Sequence, residues 1–185
     1  MKKLVPVMVV VFLLAGCAAK DDLQPILNLR QQILEAEACT FDAVINADYG
    51  DEIYNFGMKC TSDSTGRILF EVANPDAIAG ITGQLSQEGG ALTFDDKVLA
   101  FPMLTQLQLT PVSAPWILLN SLRSGYITGY GEEDGEIVVY IDDSFAENPL
   151  HLKIWVNGEG IPYYAEIIWN ERRILTLELQ NFEIL

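Results

Sequence analysis

A single histidine, three cysteines and 26 acidic side chains are the groups in this 185-residue sequence that could do chemistry. A Ser-His-Asp or Cys-His arrangement would have to use His151, and no nucleophile-elbow sequence accompanies it. His151 follows Asn148-Pro149 at the start of a strand pattern, where an exposed polar residue is ordinary. Together with Cys39 and Cys60 it gives no recognisable zinc-ligand spacing. The densest carboxylate run, Glu132-Glu133-Asp134-Gly135-Glu136, lacks the alternating ligands of a calcium loop and reads as a solvated turn. Asp95-Asp96 and Asp142-Asp143 read the same way, and the glycines are scattered through turns with no phosphate cradle. The sequence therefore assigns no catalytic residue, metal ligand or cofactor, and the expectation is a protein that is not an enzyme.

Cys17 is different, because its neighbours give it a role. Lys2 and Lys3 precede an apolar run from Leu4 to Leu14, and small residues lead into the cysteine in Leu14-Ala15-Gly16-Cys17. The run is far short of the ~20 residues a bilayer core needs, so it reads as a secretory signal. It resembles the bacterial lipobox. That resemblance implies cleavage before Cys17, diacylglycerol on its thiol, and a membrane-anchored mature chain outside the cytoplasm. The alternative is an ordinary signal cut at a small residue, with Cys17 a bystander. The expected organisation is a signal over 1–16, a lipidated tether over 17–24 and one domain over 25–185. Loss of Lys2 and Lys3 takes the formal net charge from −15 to −17. So acidic a chain repels nucleic acid and anionic headgroups. Membrane attachment must then come from lipid, and two acyl chains hold firmly where one does not.

Elements that could position a site follow from the periodicity. Pro25 to Ala38 reads as an amphipathic helix, with Ile26, Leu29, Ile33 and Ala36 on one face. From Cys39 the period becomes two. Thr40–Asp48 and Asp51–Thr61 read as a hairpin around a two-residue Tyr49-Gly50 turn, in which paired residue numbers sum to 99. That register sets Phe41 opposite Met58, Ala43 opposite Phe56, and Cys39 opposite Cys60. Opposed Cβ atoms lie ~4.5–5.5 Å apart, near the ~3.5–4.5 Å of a disulfide. An oxidising compartment makes Cys39–Cys60 a disulfide candidate. The alternative is two buried free thiols packing as small hydrophobes. Strands follow over 66–73, 78–85, 91–94 and 98–101, and proline then breaks the pattern between Pro102 and Pro115. A helix begins there, with Ser113 available to cap it and Gly125 to close it. Through Trp116, Ile117, Leu118, Leu119 and Leu122 it is apolar over most of its circumference, so it must be buried on several sides. Strands resume over 126–130, 136–142, 150–156, 163–169 and 173–182. In the last of these the apolar phase slips between Leu179 and Phe182, which predicts a bulge.

One long antiparallel sheet with only two short helices to cover its apolar face tends to leave a groove or pocket. The candidate lining is Phe41, Phe56, Met58, Phe70, Phe94, Trp116, Leu119, Ile154, Ile167 and Trp169, any one of which alone reads as ordinary core. The order of elements, with the closing Pro162-Tyr163-Tyr164-Ala165-Glu166-Ile167, Arg172-Arg173-Ile174-Leu175 and Asn181-Phe182, resembles the lipoprotein-carrier fold of the LolA/LolB type over Leu23–Leu185. The lipobox makes the chain more like LolB, or like lipidated LolA-like germination lipoproteins of the GerS type. The resemblance implies an α+β fold in which a single highly curved antiparallel sheet, a half-barrel, wraps short helices around an apolar cavity. The expected function is a lipid-anchored extracytoplasmic protein holding an apolar ligand such as an acyl chain. The alternative is an envelope scaffold docking a basic protein partner through its acidic surface.

Overall fold

The computed structural model describes residues 23–95, 97–101, 104, 105 and 108–185. The signal segment, Cys17 and the tether up to residue 22 lie outside the described residues, as does Asp96. Period-two alternation becomes a run of antiparallel hairpins: β1 (Ala38–Asp48), β2 (Ile53–Asp63), β3 (Ile68–Asn74), β4 (Thr82–Ser86), β5 (Gly89–Phe94) and β6 (Lys97–Phe101). A small ribbon follows, β7 (Leu104–Thr105) with β8 (Gln108–Leu109). The second run is β9 (Tyr126–Glu133), β10 (Glu136–Asp142), β11 (His151–Val156), β12 (Pro162–Trp169) and β13 (Arg172–Ile184). The two runs join where the first strand pairs with the last. This gives one eleven-stranded sheet in the order β6-β5-β4-β3-β2-β1-β13-β12-β11-β10-β9. Among the described residues β6 and β9 remain edges, so the sheet is not closed into a barrel.

The inner face carries the core. Alternate residues Cys39, Phe41, Ala43, Ile45 and Ala47 of β1 are buried, as are Leu175, Leu177 and Leu179 of β13. The phase slip after Leu179 is a bulge. Thr40 faces Glu183 while Asp42 faces Gln180, so β13 uses one more residue than β1. Asn181 absorbs it in the left-handed region at φ +52°, with its amide Nδ2 donating to Asp42 Oδ2 at 2.7 Å.

Two α-helices lie among the described residues. α1 (Gln24–Glu35), with proline in its first turn, buries Ile26, Leu29 and Ile33 as the spacing predicts. α2 (Ala114–Ser124) follows a 3-10 turn at Pro111–Ser113 and buries Ile117, Leu118, Leu119 and Leu122. Ser113 does not cap it. Its hydroxyl donates to Thr110 O at 2.6 Å, because the residue belongs to the 3-10 turn. Gly125 closes α2 in an extended conformation, and its glycine identity serves close packing: a Cβ there would sit 2.5 Å from Ile141 Cγ2. The helices tie their ends together with arginines. Arg30 of α1 donates to the carbonyls of Leu122 (2.6 Å), Gly125 (2.9 Å) and Ser121 (3.3 Å). Arg123 of α2 donates to Ile33 O (3.3 Å) and to Ser64 O (2.9 Å).

Those contacts require a bent sheet. Ser64 follows β2, and Ile141 lies on β10, five places away in the strand order. On a flat sheet that is ~24 Å at ~4.8 Å per strand. Both touch the final turn of α2, so the sheet curls around that helix.

The first hairpin corrects the expected register. Phe41 faces Cys60, Ala43 faces Met58, Ile45 faces Phe56 and Cys39 faces Ser62, an offset of two residues. The turn takes four residues, not two. Tyr49 N donates to Glu52 O at 3.0 Å, Gly50 sits at φ +93°, and Asp48 Oδ1 accepts from Gly50 N at 2.7 Å. A slip of two preserves which residues face inward, whereas a slip of one would invert every side chain. The cysteines are the casualties of the offset. They sit diagonally, a placement with Cα atoms ~7–8 Å apart against the ~4.4–6.8 Å of a disulfide. Cys39 and Cys60 are free, buried thiols.

Candidate ligand-binding groove

Cover on the inner face is uneven. α2 packs over β10 and β13 and against α1, while the 3-10 turn before it lies on β1. At the end of β2, β3 and β5 nearest the β1–β2 turn, the inner face carries an open groove of about 470 Å³. Its floor is Phe56 of β2, Val72 of β3 and Leu92 of β5, inward positions that alternation dictates. Ile78 and Ile81, from the connection between β3 and β4, form one wall. That connection is folded back by Val72 N donating to Ile81 O (2.8 Å) and Gly80 N donating to Val72 O (2.9 Å). Leu109, Pro111 and Val112 form the other wall.

The mouth is the polar part. Tyr49 and Glu52, from the turn between β1 and β2, and Tyr54, at the start of β2, stand at it. The Tyr49 hydroxyl donates to Leu109 O, tying the hairpin tip to the opposite wall. Burial, with the Tyr54 phenol adding, pushes the Tyr49 pKa up to about 12, so this hydroxyl keeps its proton. The Tyr54 hydroxyl donates to the Glu52 carboxylate, which raises the Tyr54 pKa. The two rings meet edge to face, 6.2 Å between centroids. Among the described residues, the groove offers an apolar trough with the Glu52 carboxylate at its entrance and Thr110 in its wall.

Of the residues expected to line a cavity, Phe56 lines this groove. Phe41, Met58 and Phe70 lie in the filled core beside it, and Leu119, Ile154 and Ile167 are buried around α2. Trp116 and Trp169 pack half-buried against the core. Phe94, 59 % exposed at the end of β5, does not line the groove. The sequence reading missed Tyr49, Tyr54, Ile78 and Ile81. Two tyrosines flanking one turn, and two isoleucines in a segment ending at Gly80, were the available signals.

The remaining reactive groups lie elsewhere. His151 Nδ1 is 2.6 Å from Asp142 Oδ1 on the outer face, with the imidazole half exposed. Burial pushes both thiols up, with Asp42 adding at Cys60, which leaves them protonated and poor nucleophiles. No cluster of metal-ligating side chains occurs among the described residues. No described helix is long and apolar enough to cross a membrane.

No family model matches the sequence, and no curated protein matches it. Solved structures of similar fold include a LolA superfamily protein from Nitrosomonas europaea: 8 % identity, 86 % of this chain, 93 % of that one, TM-score 0.46. A putative outer membrane lipoprotein-sorting protein domain from Vibrio parahaemolyticus shares 8 % identity over 86 % of this chain and 90 % of that one, TM-score 0.47. A chain in the structure of the CwlD amidase from Clostridioides difficile in complex with the GerS lipoprotein shares 15 % identity over 86 % of this chain and 93 % of that one, TM-score 0.46.

Proposed function

We propose that this chain is an extracytoplasmic binding protein, tethered by lipid on Cys17, that holds an apolar ligand such as an acyl chain. The observation behind the reading is the open groove over β2 to β5. Its volume of about 470 Å³ falls within the ~300–1,000 Å³ of small-molecule pockets. Ten methylenes laid along its floor would supply ~8 kcal/mol of gross transfer free energy at ~0.8 kcal/mol each.

The position of Pro25, near the start of the described chain, supports the same reading. Pro25, in the first turn of α1, packs on Gly160 beside the β11–β12 turn, where a Cβ would sit 3.1 Å from Pro25 O. The mouth lies at the other end of β12 and β13, where Arg172 bonds Asp48 at 2.8 Å. The described chain thus begins at one end of the strands and the groove opens at the other.

The test is organic extraction of the mature chain carrying Cys17→Ser, followed by mass spectrometry, beside the same chain with Ile81→Trp, which places an indole in the groove. Lipid in the first extract and little in the second is the expected result. Equal, trace amounts in both reject the reading. That outcome, with salt-sensitive retention of a basic envelope protein, would favour the scaffold alternative, which the acidic surface supports.

A further inference from the structure

We propose that the groove selects the head of its ligand as well as the tail: it takes a single-chain amphiphile whose head carries N–H or O–H donors and no negative charge, best an ammonium, and disfavours a fatty-acid carboxylate. The inference rests on the reading that the groove holds an acyl chain.

Among the described residues that line the groove, Glu52 is the one charged side chain, with no lysine or arginine beside it. Both phenol protons at the mouth are committed, Tyr49 to Leu109 O and Tyr54 to the Glu52 carboxylate. The guanidinium of Arg172 lies against the same turn, but its Nη2 is held by Asp48 Oδ1 at 2.8 Å and Asp48 O at 3.1 Å. Asp51 adds a further acid to that turn. A carboxylate head arriving here would exchange its water for a like charge with no phenol proton to spare. An ammonium would gain a counter-ion, and a hydroxyl would gain an acceptor. At a mouth open to water, the difference between a cationic and an anionic head of equal tail corresponds to roughly tenfold in affinity. It shrinks as salt shortens the ~10 Å screening length of 0.1 M electrolyte.

The experiment loads the mature chain carrying Cys17→Ser with Nile red, a neutral fluorophore, and displaces it at pH 7 with dodecylamine, monolaurin or laurate below their micellar concentrations. Dodecylamine should displace at roughly one-tenth the concentration laurate needs, with monolaurin between. Glu52→Gln should bring the three curves together, as should 0.5 M salt. Glu132→Gln, the same charge change on β9 at the far edge of the sheet, should leave them apart. Laurate competing as well as dodecylamine, or the ratio surviving Glu52→Gln, overturns the proposal and leaves the groove reading intact. Collapse of the ratio by Glu132→Gln also overturns it, because net charge would then be the cause. Failure of Nile red and all three amphiphiles to bind defeats the groove reading itself.

Discussion

Replacing Arg30 by methionine should destabilise the protein far more than removing any surface charge. The side chain is partly buried, and its guanidinium makes two hydrogen bonds under 3.0 Å and a third at 3.3 Å to carbonyls ending α2. No intrahelical donor serves the last carbonyls of a helix, and a cation there also meets the negative end of the helix dipole. Hydrogen bonds to a charged group contribute ~1.5–3 kcal/mol each. Burial opposes this by penalising the cation, which is why the Arg30 pKa is lowered. Two strong bonds, less that penalty, leave ~3 kcal/mol net. For a domain of this length that is roughly 6–12 °C in Tm. Arg30→Lys retains the point charge without the fork and should lose about half as much. Arg67→Met is the control, since its pair with Asp63 is exposed and contributes under ~1 kcal/mol. Thermal and urea unfolding followed by far-UV circular dichroism would measure all three. If Arg30→Met lies within ~1 kcal/mol of wild type or matches Arg67→Met, the argument that this fork couples the helices is refuted.

Three further outcomes follow from the same geometry. Iodoacetamide should leave Cys39 and Cys60 unlabelled in the native protein and alkylate both in urea without reductant; labelling that waits for reductant would mean a disulfide after all. Tyr49 is a group whose folded pKa exceeds its unfolded value near 10, so its contribution is intact below pH ~10 and lost as pH climbs toward 12. Urea midpoints should therefore fall faster between those limits for wild type than for Tyr49→Phe, and parallel curves would contradict the assigned burial. At the bulge, Asn181→Val forces a β-branched residue to φ +52° and should cost ~2 kcal/mol by urea unfolding, whereas Asn181→Gly should cost under ~1 kcal/mol. Equal losses would mean that the Asp42 bond, not backbone strain, governs the site.

What the sequence made legible is what periodicity controls. Alternation placed Phe41, Ala43 and Ile45 on the inner face, and that assignment survives an error in register because the error is an even number. The bulge near Asn181 was readable because a phase slip inside one strand has few other causes. A helix as apolar as α2 had to be wrapped, and it is. Register itself was not readable, because it depends on turn length. A Tyr-Gly pair looks like a two-residue turn until the Asp48 carboxylate accepts from Gly50 N and Arg172 grips Asp48 from β13. The first contact is local but leaves no mark on the alternation, and the second spans 124 residues.

The groove escaped for a related reason. The expectation of uncovered apolar surface was sound, but composition could not say which half of the sheet the helices would choose. Arg30 and Arg123 settle it by binding α1 and α2 to each other and α2 to the β2–β3 turn. That leaves α2 over β10 and β13, so Leu119, Ile154 and Ile167 become plain core. Among the described residues the Leu109–Val112 stretch faces Phe56, Val72 and Leu92 from across the groove, and a stretch that short spans a trough without filling it. The arginine fork and the open groove are thus two consequences of one helix placement. If the groove holds an apolar ligand as proposed, Arg30→Met should weaken Nile red binding by fluorescence titration even though Arg30 does not line the groove, and unchanged binding would separate the two features.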